Sequence, residues 1–216
     1  MISPERLAAL EASWLRLLSE YDVAPARALP VFDELAARYG EPHRHYHTLE
    51  HLAETLRVLG RLKPQCHDFA SASLALWFHD AISDPLAHDN EERSAEFAIE
   101  KLAALGIAAD VTDRVAGIIR RTNHSPARNV DADTRAVLDA DLAILGASPV
   151  RYDRYAADIR TEYAHVPEAD YRAGRAKILR AFLARPQIYA VPVMVEEGEA
   201  AARANLRREL AVLEAV

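Results

Sequence analysis

A single cysteine, Cys66, stands among 216 residues. No intrachain disulfide can form, which suits a reducing compartment. Glycine is scarce as well, at 7 residues, while Ala, Leu, Arg and Glu abound, side chains that lose little freedom in a helix. Alternating strand patterns, repeats, low-complexity tracts and linker-like segments are all missing, which leaves no sign of a sheet or of a flexible interdomain hinge. No apolar run approaches the ~18 residues of a membrane span. The opening "MISPERLAAL" carries Glu5 and Arg6 and has no uninterrupted apolar stretch of the kind a secretory leader needs. The expectation is a cytoplasmic protein with no membrane partner. Positive charge is in deficit: 26 Lys and Arg stand against 33 Asp and Glu, a net charge of -7, with a sequence pI near 5.7. Binding to duplex nucleic acid neutralises phosphates with cations, so that class of partner is excluded. Local arginines can still hold a small phosphorylated ligand.

What is present is apolar residues, half of the chain, enough for one substantial core. They recur at helical spacing. Ser3 is placed to cap a first helix, with Pro4 in its first turn and Leu7, Leu10, Trp14, Leu17 and Tyr21 on one face. A second helix is expected from Pro25 to Tyr39, closed by Gly40. Further helices are expected at about 49–62, 68–80, 90–105, 110–122, 133–145, 151–164, 168–184 and 195–214, separated by short breakers such as "KPQ", "SDPLAHD" and "GASPV". The fold class is therefore all-α, a helical bundle of roughly nine to ten helices. It is expected as one domain over 1–216, with C-terminal helices 150–216 packing on the rest.

Three stretches carry chemistry. "RHYHTLEHL" holds His45, His47 and His51, two of them four residues apart. Thr48 is placed to cap the helix that starts there, which puts His51 in its first turn. "LALWFHDAISD" brings His79 and Asp80 together directly after a bulky apolar run. A buried carboxylate beside an imidazole needs a partner, and a metal ion satisfies both, although taken alone the pair fits a plain helix end equally well. "RAVLDADLAILG" carries Asp139 and Asp141, which cannot share a helix face. Val137, Leu138, Ile144 and Leu145 surround Asp141 at helical spacing, so Asp141 is expected to point inward and Asp139 to lie nearer the edge.

His51, the His79–Asp80 doublet and Asp141 resemble the H…HD…D signature of the HD-domain metal-dependent phosphohydrolases. The segment "YHTLEHL" is similar to the sequence around the first metal histidine of cyclic nucleotide phosphodiesterases. The ordered set "YHTLEHL", "WFHD", "NEERSA", "LDADLAILG" and "IRTEY…GRAKILRAFLARPQIY" looks closer still to a group of small bacterial and fungal proteins described as predicted HD-superfamily phosphohydrolases, and the likeness runs from about residue 38 to 190.

That resemblance implies an HD-domain bundle with a metal core at about 38–146. It implies one divalent ion per chain (Mn, Fe, Zn, Ni, Co or Mg) held by His51, His79, Asp80 and Asp141. It implies that His47 donates the proton to a leaving group and that a glutamate near Glu91 contacts the attacking water. Positions 91, 95, 98, 102 and 105 also form one helical stripe, which turns Glu91 inward, whereas Glu92 pairs with Asp89 as a capping box. His124 is expected as a catalytic residue, a water or substrate contact or the proton donor in place of His47, and Asn90, Arg160 and Arg175 are expected as substrate contacts. Tyr155, Ile159 and Tyr163 are spaced as a core stripe. The function that follows is hydrolysis of a phosphomonoester or phosphodiester in a nucleotide or other small phosphorylated metabolite. A di-iron oxygenase, with extra ligands from His88, Glu91 and His124, and a silent nucleotide-binding module remain as alternatives. The oligomeric state is left open, a homodimer included.

Overall fold

The structure is a computed structural model that describes residues 2–123 and 130–215. Among the described residues it is all-helical, without strands, and contains ten α-helices: α1 (Pro4–Ser19), α2 (Pro25–Tyr39), α3 (Leu49–Leu62), α4 (Phe69–Phe78), α5 (Asn90–Leu105), α6 (Ala109–Ile119), α7 (Ala132–Asp141), α8 (Pro149–Glu162), α9 (Glu168–Leu183) and α10 (Pro192–Glu214). Short 3-10 turns follow α3, α6 and α7. Two of the expected helices, 110–122 and 133–145, therefore end in tighter turns, at Arg120–Asn123 and Leu142–Gly146. No described helix is long and apolar enough to cross a membrane. The chain divides into two compact units, Met1–Ala140 and Asp141–Val216, a division that falls at the last residue of α7.

In the first unit, α4 is the axis. Every residue from Ser71 to Phe78 is buried, because "SASLALWF" is apolar on all sides apart from two serines, and a helix of that kind has no face to give to water. Both serines are satisfied: Ser71 bonds the Asp68 carboxylate that caps the helix, and Ser73 donates to the Phe69 carbonyl. Aromatic side chains from four helices meet edge-on or tilted around the C-terminal half of α4. Trp14 lies 5.2 Å from Trp77 and 6.0 Å from Phe78, Phe32 lies 6.1 Å from Trp77, and Phe97 lies 5.8 Å from Phe78. The one polar atom of Trp14, Nε1, donates to the Ala28 carbonyl at 2.9 Å, so the ring is buried at no hydrogen-bonding cost. Truncating Trp77, 1% exposed, costs about 3–5 kcal/mol. This packing fixes the end of α4, and the next two residues are His79 and Asp80.

The second unit holds the turn Leu142–Gly146 against α10. Two glycines make the approach possible. A Cβ on Gly198 would lie 2.9 Å from the Tyr189 ring, and one on Gly146 would lie 2.9 Å from the Tyr189 hydroxyl and 3.1 Å from the Gly198 carbonyl. Tyr189 then donates to the Leu142 carbonyl, and Asn205 donates to the carbonyls of Leu145 and Ala147. The expected tyrosine stripe is only partly core. Tyr155 and Ile159 are buried, but Tyr163 is exposed, since it sits at the C-cap of α8, where the stripe leaves the helix.

Candidate metal centre

The carbonyls at the end of α4 have no helical partners of their own, and each has to find a donor. The His79 ring takes the Leu76 carbonyl through Nδ1 at 2.7 Å. The Tyr39 hydroxyl takes the Trp77 carbonyl, and the Ala81 amide takes that of Phe78. Arg44 takes the carbonyls of Asp80 and Ala81. A carbonyl oxygen only accepts, so Nδ1 of His79 must carry its hydrogen. In the neutral ring, Nε2 is then the basic nitrogen with its lone pair available. A ring N–H tied to a backbone carbonyl is the usual support of a metal-binding histidine, fixing both its tautomer and its orientation.

His51 arrives from the first turn of α3. Thr48 occupies the N-cap position in extended conformation but makes no side-chain cap; its hydroxyl faces the Tyr46 carbonyl instead. The placement expected for His51 holds and the hydrogen bond expected for Thr48 does not. His51 and His79 are 2% and 1% exposed, with their Nε2 atoms 3.3 Å apart. The Asp80 carboxylate lies against both, its Oδ2 3.0 Å from His79 Nε2 and 3.4 Å from His51 Nε2. Burial alone pushes the Asp80 carboxyl up, but the charges of His79 and His47 and the bonds from His51 and His79 outweigh it and hold the group well below the usual carboxylate range. Asp80 is therefore an anion among imidazoles.

Asp141, the last residue of α7, joins the two histidines in a group that does not include Asp80. Ligand atoms of His51, His79 and Asp141 all lie within 4.8 Å of one another. The depths of the two α7 aspartates are the reverse of the expectation: Asp139 is 1% exposed, and Asp141 is half-buried. The helix stripe tightens into a 3-10 turn directly after Asp141, so the residues at 144 and 145 do not continue its face with α-helical spacing.

Such a cluster could hold a divalent ion, and the spacing of His51, His79 and Asp80 is compatible with one. Donor atoms ~2.0–2.2 Å from one ion stand roughly 2.8–3.6 Å apart in tetrahedral or octahedral arrays. The Nε2–Nε2 and Nε2–Oδ2 separations of 3.3, 3.0 and 3.4 Å fall in that span. Imidazole with carboxylate suits Zn, Fe, Mn, Co or Ni, and the absence of thiolate from this donor set sets it apart from closed cysteine-rich structural sites.

His47 is half-buried beside this cluster, its ring 5.8 Å from that of His51. His45 is exposed, and His43 bonds the Ser83 carbonyl at 2.7 Å. Glu91 is half-buried in the first turn of α5, and His88 is exposed; like Asp80, neither belongs to the group of His51, His79 and Asp141. The capping box does not form. Asp89 makes no side-chain cap, and Glu92 instead meets the Arg120 guanidinium through two bonds of 2.7 and 2.8 Å. Asn90 closes a loop, accepting from the Asp84 amide and donating to the Asp84 carbonyl. His124 lies outside the described residues.

Arg160 and Arg175 are engaged within the second unit. Arg160 pairs with Glu168, bonds the carbonyls of Tyr163 and Val166, and lies over the Tyr171 ring. Arg175 is bound by Glu209 and Tyr155. Their forks are committed to protein partners.

The residue that sequence reasoning missed is Arg44. Its side chain is 1% exposed and pairs with Glu41, and its guanidinium bonds the carbonyls of His47, Asp80 and Ala81. An arginine in a polar loop gives no sign of such depth in the sequence.

No protein-family model matches the chain, and no curated protein matches it. A structural-genomics crystal structure of a protein from Lactobacillus plantarum is similar at 17% identity with a TM-score of 0.47, over 99% of this chain and 93% of that one.

Proposed function

We propose that the protein is a metal-dependent phosphohydrolase acting on a nucleotide or another small phosphorylated metabolite, as the resemblance of its motifs to HD-domain enzymes implies. One observation carries the reading: two buried imidazoles with converging Nε2 atoms and an ionised Asp80 beside them, with the His79 tautomer fixed for ligation by the Leu76 carbonyl. His51, His79, Asp80 and Asp141 would hold a divalent ion, which when bound would supply Lewis acidity toward water and the phosphoryl group. The chain's own residues do the rest. His47, half-buried at the rim of the cluster, delivers a ring proton to the leaving oxygen. Glu91 orients the water through its carboxylate. Asn90, Arg160 and Arg175, the expected substrate contacts, are each bonded to other parts of the chain.

The test is metal analysis of protein purified without chelators, followed by release of phosphate or nucleoside from a panel of mono- and diesters. One divalent ion per chain with metal-dependent turnover is expected. Two irons per chain with an optical band that follows oxidation state would replace the reading with the oxygenase. Tight nucleotide binding without product would replace it with the binding module.

A further inference from the structure

We infer that Arg44 is the positioning residue of the metal centre, binding the loop that presents His47 to the loop that presents Asp80. The inference rests on the metal-dependent reading above and extends it to a residue that touches neither ion nor substrate. His47 and Asp80 leave their helices on separate stretches, 41–48 before α3 and 79–89 after α4. Neither residue lies within a helix, so their spacing depends on how the two stretches are held together.

Arg44 spans the gap with one rigid group. Its Nη1 donates to the carbonyls of His47 and Asp80, its Nη2 donates to that of Ala81, and its Nε is held by Glu41 Oε2 at 2.9 Å. Behind the guanidinium lies the Tyr39 ring, 5.3 Å away, and the Tyr39 hydroxyl is itself anchored on the Trp77 carbonyl. The cluster is thereby tied through Arg44 and Tyr39 to the aromatic core around α4. His43 makes a second link between the same loops, to the Ser83 carbonyl.

The chemistry demands arginine here. A planar fork with five donors reaches three carbonyls and a carboxylate at once, whereas a lysine offers one point of charge. The cation also lies at the C-terminal end of α4, where the helix dipole favours it. Its charge addresses backbone carbonyls and Glu41, so the Asp80 carboxylate is left to the imidazoles. Removing the fork releases Asp80 and His47 from their common frame, and support of this kind is worth roughly 10- to 100-fold in metal affinity.

Cobalt(II) titration, read both as affinity and as the visible ligand-field spectrum, tests this on wild type, Arg44→Lys, Arg44→Met and Arg114→Met. Arg114 serves as comparator because it makes a buried-carboxylate contact, to Asp133, within the same unit. Expected is a loss of about 10-fold or more in cobalt affinity with an altered band for both Arg44 variants, and a lowered Tm with wild-type affinity and spectrum for Arg114→Met. If Arg44→Met does not fold, Arg44→Lys and Glu41→Gln decide by the same readouts. Folded Arg44 or Glu41 variants with wild-type affinity and spectrum overturn the positioning role while leaving the metal site standing. A wild-type protein that binds no cobalt overturns the metal-dependent reading itself, and this one with it.

Discussion

In the second unit the Glu209 carboxylate, 11% exposed, is met by the Arg175 guanidinium, 9% exposed, at 2.7 Å. Tyr152 also bonds Glu209, and Tyr155 bonds Arg175. In the first unit the Asp80 carboxylate is met by the imidazoles of His51 and His79. Both clusters keep a carboxylate charged, Glu209 nearly buried and Asp80 with its side chain 23% exposed, but the cation differs in kind. Burial works against the Arg175 charge, yet Tyr155 and Glu209 more than offset it and hold the guanidinium protonated well above its ordinary range. Burial and the Glu209 charge likewise push the Tyr152 hydroxyl far up. That cluster is a closed pair that no proton or ion is needed to complete. Imidazole is different: it carries a lone pair and exchanges a proton for a metal. The same electrostatic demand is thus met by a permanent cation in the second unit and by an exchangeable one at the candidate metal centre.

The sharpest way to separate the two clusters is to remove one member of each. His79→Ala, Asp80→Ala or Asp141→Ala should bring metal content to background and abolish turnover with the helical circular dichroism intact. Arg175→Met should do the opposite. It leaves a buried carboxylate without its cation and lowers unfolding free energy by about 3 kcal/mol in urea titration, while metal content stays at the wild-type level. His47→Asn tests a subtler division, between holding the ion and using it: metal content is kept and turnover falls by roughly 10²-fold.

The smallest of these effects reports on pH. Asp133 is 1% exposed and accepts from the amides of His67 and Asp68 and from Arg114. Burial raises its carboxyl, but the Asp68 amide, Arg114 and the His67 amide outweigh that, so its folded value lies below the ordinary one. A depressed carboxyl contributes stability above its unfolded value of about 3.9 and loses it as pH falls through the folded value. Asp133→Asn should therefore be about 1–2 kcal/mol less stable than wild type at neutral pH, with the gap closing below about pH 4. A gap that stays constant to pH 2 would remove the ionic part of this account.

How much of this was legible in sequence depends on which physical signal each residue leaves. Apolar periodicity located α2, α3 and α5 with their boundaries, Pro25–Tyr39, Leu49–Leu62 and Asn90–Leu105, because a buried stripe of that length has one reading. His51 and the His79–Asp80 doublet were visible because chemistry-bearing residues interrupt or follow apolar runs. Local capping was less legible. Ser3 caps as expected, but Thr48 and Asp89 occupy their positions without the bond, and Glu92 prefers Arg120, 28 positions away. The α7 aspartates were ordered wrongly in depth because a stripe drawn at 3.6 residues per turn cannot foresee a 3-10 turn at Leu142. Arg44 was invisible for a related reason. Arginine in a loop ordinarily faces water, and only the convergence of three carbonyls from two loops explains its burial.

The measurement that tests the central claim most directly is the metal content of protein purified without chelators, by elemental analysis, for wild type beside His79→Ala. Expected is about one divalent ion per wild-type chain, retained through gel filtration, and none above background in the variant. A wild-type protein that carries no metal and takes none up on reconstitution with Mn, Fe, Zn, Co, Ni or Mg would contradict the claim, and the histidine–aspartate cluster would then be packing rather than a centre of chemistry.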